Sequence, residues 1–203
     1  MSTSKYLSKK SLGTVSLAGV LLLLGGTGLA ILRSPSQVSS LPKAVAPITV
    51  QQKVNYGLPV RLKIPAISLD TAIEAVGITN KGEMGTPEDP ANVAWFNLGP
   101  RPGEVGNSVI DGHLDWYNGA VTAFENLSKL QKGDKLYVVD ETGAATTFVV
   151  RGFGTFDQNQ DATSVFRSVD GKAHLNLITC EGVWNEAQQS YSSRLIVFTN
   201  KEI

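Results

Sequence analysis

Between Val60 and Pro65 apolar and polar residues alternate before a proline interrupts the run. That pattern predicts a half-buried strand, and the proline places it at a sheet edge, where a ladder donor can be spared. Ile73 to Ile78 fits either a short strand or one helical turn. Val93-Ala94-Trp95-Phe96 predicts a buried strand. Asn107 to Ile110 predicts another, ending at His113. Lys135 to Asp140 and Ala145 to Phe156 read as two strands around a hairpin break at Glu141-Thr142-Gly143. Leu175 to Cys180 and Arg194 to Phe198 supply the last apolar runs. Phe124, Leu127 and Leu130, three apart, predict one face of a short helix stopping at Lys132-Gly133. Thr79 to Pro90, Asn97 to Gly103 and Asp157 to Gly171 are loops by composition, with Val165-Phe166 the one docking point in the last. Many short strands, one or two short helices and no βαβ rhythm predict a mainly β, closed or nearly closed barrel.

The barrel pattern begins only near Leu58. Residues 12–32 form a stretch of 21 positions without a charge, including Leu21-Leu22-Leu23-Leu24. As a helix it spans about 30 Å, the hydrocarbon thickness of a bilayer. Lys5, Lys9 and Lys10 precede it, so the charge bias predicts a cytoplasmic N-terminus over 1–11 and an extracellular bulk. A cleaved signal peptide is the alternative. Its apolar region is usually about 7–15 residues, and Ala44-Val45-Ala46 lies far past Leu32. The expectation is an uncleaved plasma-membrane anchor over 12–32, a Pro- and Ser-containing linker over 33–57, and the functional domain over 58–203.

Charge narrows the partners. Eighteen basic and eighteen acidic residues balance, so no net field points to nucleic acid or an anionic surface. Chemistry enters with Cys180, the only cysteine in 203 residues. One cysteine forms no internal disulfide, and in an exported chain it is either a buried small hydrophobe or a reactive thiol. His174 is nearer in sequence, but six residues of strand cover about 20 Å, which removes it as a partner and makes it a partly exposed strand-end residue. His113, at the end of a strand and before Asp115-Trp116-Tyr117, suits a barrel rim or a surface loop. Arg194 follows a 13-residue connection from Glu181 to Ser193. Antiparallel pairing of the flanking strands would make it a neighbour of Cys180.

Together the three suit acyl transfer. A thiol of reference pKa about 8.5 is mostly protonated at neutral pH, and the thiolate is the nucleophile. An imidazolium stabilises that thiolate and then protonates a leaving amine. A guanidinium can hold the substrate backbone and the tetrahedral oxyanion.

Leu177-Ile178-Thr179-Cys180 matches an L-x-T-C motif, Gly112-His113 closes a strand, and Arg194 opens the last one. In that order, over about Val60 to Thr199, the chain resembles the sortases, membrane-anchored cysteine transpeptidases. Arg61 to Asp70, and the passage from Met84-Gly85-Thr86-Pro87 through Trp95 to Pro102-Gly103, are most similar to class F, with class E next. The resemblance implies an eight-stranded barrel. It also implies that Cys180 attacks the Thr–Gly bond of an LPxTG-like sorting signal on surface proteins. The threonyl group is then held as a thioester until a cell-wall precursor amine takes it. His113 would be general acid and base, and Arg194 would bind substrate and stabilise the oxyanion. Thr179 would add substrate contacts or help form the oxyanion site.

No cofactor and no metal are expected. Asp157 to Asp161 opens like a calcium loop, but Ala162 replaces its turn glycine and Ser168 its closing glutamate. Two alternatives remain. One is a secreted cysteine peptidase that resolves the acyl-enzyme with water. The other is a non-catalytic wall-binding β-module with an incidental thiol.

Overall fold

The structure, a computed structural model, describes residues 54–157 and 160–203. The expected anchor and most of the linker lie outside the described residues. Among the described residues no helix is long and apolar enough to cross a membrane.

Eight strands close into a barrel in the order β1-β2-β3-β4-β7-β8-β6-β5. They are β1 (Pro59–Ile64), β2 (Leu69–Val76), β3 (Val93–Phe96), β4 (Gly106–Gly112), β5 (Lys135–Asp140), β6 (Ala145–Asp157), β7 (Ala173–Asn185) and β8 (Ser190–Lys201). The mainly β expectation holds. Several local expectations change. β1 is not an edge strand, because closure pairs it with both β2 and β5. Pro65 falls just past it, in the 3₁₀ turn Pro65–Ile67, where its missing N–H costs no ladder bond. The Ile73 segment is strand, part of β2. The Phe124 stretch forms only the 3₁₀ turn Leu127–Lys129. A three-residue spacing fits a helix of three residues per turn, so the apolar face survives while the element shortens.

Alternation along the strands sorts side chains into two layers. Leu62, Ile64, Ile110, Leu175, Leu177 and Val197 fill the interior together with Phe124 and Leu127, all fully buried. Each such side chain contributes about 1.5–3 kcal/mol by leaving water. On the outer face Val109, Ile178 and Ile196 make a second cluster with Phe96, Phe166 and Val165. There the one-turn helix α1 (Thr163–Phe166) docks, with Val165 fully buried and the Phe166 ring 5.6 Å from that of Phe96. The polar connection is thus pinned at the predicted residues.

β4 and β7 run parallel, with Asp111 opposite Ile178, and β7 pairs antiparallel with β8, with Cys180 opposite Arg194. These two ladders position everything that follows.

Candidate active site

His113 is the first residue past β4. Two residues beyond the Asp111–Ile178 pair, the parallel register brings it level with Cys180 on β7. Both line one open cleft of about 640 Å³, together with Leu114, Asp115, Trp116, Tyr117, Trp184, Gln189 and Tyr191. The backbone around the histidine is tied on both sides. The Phe124 N–H donates to its carbonyl at 3.0 Å, and the Thr122 hydroxyl donates to the Leu114 carbonyl at 2.8 Å. Its Nε2 lies 3.1 Å from the Pro87 carbonyl, a contact that calls for a proton on Nε2 and leaves Nδ1 for chemistry. The Trp116 ring meets the imidazole edge-on at 4.7 Å.

The loop carrying Pro87 is held by Glu74 of β2. Its carboxylate accepts the Glu88 N–H at 2.8 Å, the Asp89 N–H at 3.3 Å and the Asn92 amide at 2.9 Å. Burial alone would raise Glu74; these donors outweigh it and hold the carboxyl below its ordinary value.

Cys180 is half-buried and free. Desolvation pushes its thiol up, the Arg194 charge pulls it down, and Asp111 and Asp115 push it up again. The balance favours the thiol over the thiolate. Asp111, on the same face of the sheet two residues before His113, is raised to about 7 by burial, against the pull of Arg194.

Arg194 lies opposite Cys180, as the antiparallel pairing predicted. Its guanidinium donates to the Tyr191 and Ser193 carbonyls at 3.0 and 2.9 Å and to the Ser190 hydroxyl at 3.2 Å. It thus acts on the thiol through charge across the ladder, held by its own strand. The predicted long loop before it is mostly strand: β7 runs on to Asn185 and β8 starts at Ser190. Just past Cys180 the register shifts between Glu181 and Trp184 by one extra residue, a bulge that sets Trp184 opposite Tyr191. Gly182 takes φ +89° there, and a Cβ on it would lie 2.3 Å from the Ser192 hydroxyl.

Thr179 is buried, with its hydroxyl donating to the Gly112 carbonyl at 2.8 Å. Its side chain faces the barrel interior, so any contact with substrate falls to its backbone. What the hydroxyl does is tie β7 to β4 beside His113. His174 stays remote, being six residues along one continuous strand from Cys180. It is not partly exposed as expected but 5% accessible. Asp170 at 2.9 Å and Asn200 at 2.9 Å hold its two ring nitrogens. Among the described residues no group of His, Cys, Asp and Glu is arranged to hold a metal ion. Asp161, from the calcium-like stretch, accepts the Thr163 N–H at 2.8 Å at the start of α1.

Sequence reasoning passed over Asp111, Glu74 and Tyr191. Their roles come from neighbours far along the chain: the Tyr191 hydroxyl donates to Asp115, 76 residues away.

Cys180 and Arg194 face each other within β7 and β8 of the closed barrel, and His113 follows the end of β4, an arrangement suited to acyl transfer through a thioester. The chain belongs to the sortase family: residues 62–202 match the Sortase domain. Members of this family are cysteine transpeptidases. Sortase C-1 from Actinomyces oris is 26% identical, with TM-score 0.56 over 71% of this chain and 75% of that one. A lid mutant of sortase A from Corynebacterium diphtheriae is 22% identical, with TM-score 0.55 over 75% and 74%. Sortase C from Streptococcus pneumoniae is 22% identical, with TM-score 0.56 over 73% and 69%. The last two similarities speak for the fold alone. No curated protein sequence matches the chain.

Proposed function

We propose that this chain is a sortase of class F type, with class E next. It cleaves an LPxTG-like sorting signal between Thr and Gly and transfers the threonyl group to a cell-wall precursor amine. The observation that carries this reading is the shared cleft of Cys180 and His113, with Arg194 opposite the cysteine.

The steps are as follows. The thiol gives its proton to the Nδ1 of His113 while the sulfur attacks the threonyl carbonyl carbon. The Arg194 charge favours the developing anion, and N–H donors of the local backbone are the natural partners of the oxyanion. His113 then protonates the leaving glycyl amine, the C–N bond breaks, and a thioester remains on Cys180. An incoming amine reverses the sequence.

Residues 12–32 serve as a single-pass anchor in the plasma membrane, with 1–11 cytoplasmic and the domain outside. An uncharged stretch preceded by Lys5, Lys9 and Lys10 supports that placement.

The test is product analysis by mass spectrometry. The full chain in detergent micelles is incubated with a library of LPxTG-type peptides, with and without glycylglycinamide. The expected product is the threonyl amide of glycylglycinamide, and His113→Ala lowers its formation by about 10²–10⁴-fold. Free threonyl acid alone, even in excess amine, would identify a hydrolase instead.

A further inference from the structure

The cleft has lining residues that the cleavage chemistry leaves unused. Asp115 is the single carboxylate among the lining residues, and four aromatic side chains surround the same space: Trp116, Tyr117, Trp184 and Tyr191. Trp116 lies 5.4 Å from Tyr117, and Trp184 lies 5.3 Å from Tyr191, ring to ring. Tyr117 is 90% and Trp184 41% exposed, a large aromatic surface left open at the mouth. The Tyr191 hydroxyl donates to Oδ2 of Asp115, which fixes the carboxylate and leaves Oδ1 open. Among the described residues no lysine, arginine or histidine forms an ion pair with Asp115. Arg194 directs three of its N–H donors to residues of β8.

An exposed carboxylate, hydrogen-bonded by Tyr191, without a cationic partner and in a cleft lined by aromatic side chains, is complementary to an ammonium group. We propose that these residues of the cleft bind the acceptor as its primary ammonium, with Asp115 as counter-ion and the Trp116, Tyr117 and Trp184 rings around it. The proposal rests on the transpeptidase reading above and adds where the amine waits.

It also gives the site a means of favouring amine over water. Water carries no charge for Asp115 to hold, so the carboxylate raises the local concentration of the amine alone. The ammonium loses one proton to solvent on becoming nucleophilic, and its nitrogen attacks the thioester carbonyl carbon. The C–N bond forms and the C–S bond breaks. The second proton passes from that nitrogen through His113 to the departing Cys180 thiolate, leaving amide and free thiol. The leucine and proline of a sorting signal would use the rings but have no use for the carboxylate, so charge dependence separates the two occupants.

The test is a titration of the full chain in detergent micelles, read by tryptophan fluorescence, since Trp116 and Trp184 line the site while Trp95 is buried. The ligands are glycylglycinamide and its N-acetyl derivative, which lacks the ammonium. The expected result is a saturable change with the first only. Asp115→Asn should weaken it about 10-fold and Asp115→Glu should recover part of the loss. Equal binding of the two ligands, or wild-type binding by Asp115→Asn, overturns the proposal. A second arm measures the glycylglycinamide KM in transpeptidation, expected to rise by a similar factor in Asp115→Asn. Ammonium binding by a wild type that cleaves no LPxTG-type peptide would keep this site and overturn the transpeptidase reading. Aminolysis with a KM indifferent to residue 115 would do the reverse.

Discussion

At the level of single residues, burial and hydrogen bonding raise three acids at the site. The Cys180 thiol and the Asp111 carboxyl are both pushed up by desolvation and both pulled down by Arg194. Tyr191 is pushed up to about 12, first by its hydrogen bond to Asp115 and then by burial. Its hydroxyl therefore stays a donor across the working pH range. For Asp111 the sign of the linkage is unusual for an aspartate. Its folded pKa of about 7 exceeds the model-compound 3.8, so the folded chain holds the proton more tightly. Stability from this group is full below about pH 4 and declines as pH rises to 7. A shift of this size has a ceiling of about 4 kcal/mol. Chemical denaturation between pH 4.5 and 7.5 should show that decline in the wild type and a flatter profile in Asp111→Asn. Identical profiles would remove Asp111 from the account.

At the level of elements, the parallel β4–β7 pair and the antiparallel β7–β8 pair bring residues of distant sequence to one rim. The end of β4 is a tight point. Gly112 carries no side chain because a Cβ there would lie 2.6 Å from the Phe124 ring, which is fully buried. Gly112→Ala should therefore cost about 1–3 kcal/mol of stability by overpacking, measured by urea denaturation, and lower activity by moving His113. Unchanged stability would mean that Phe124 has room to yield. This level also shows what was legible in the sequence. The alternation of Val60 to Ile64 and the apolar run before Cys180 carried the strands, because period-two burial is a local property. The pairing of Cys180 with Arg194 was legible because hairpin partners need no loop of fixed length. The extent of that hairpin was not, since Glu181 to Ser193 is polar and its strands project with exposed side chains on Val183 and Trp184. Nor was the closure that turns β1 from an edge into an interior strand, because it depends on β5, whose paired residues lie 74 to 81 positions away.

On the scale of the whole molecule, the proposed chemistry rests on a thiol that its surroundings disfavour as thiolate and that His113 activates. Sequence alone brought Cys180, His113 and Arg194 together through order and motif. It did not find Asp111, Asp115 and Tyr191, whose neighbours are set by the closed sheet and the bulge after Cys180. The most direct measurement of the central claim traps the acyl group. An LPxTG-type peptide is incubated with the full chain in excess hydroxylamine, and the products are weighed. A thioester on Cys180 predicts the threonyl hydroxamate from the wild type and none from Cys180→Ala, with the variant as stable as the parent. Threonyl hydroxamate formed at the wild-type rate by Cys180→Ala would contradict the account.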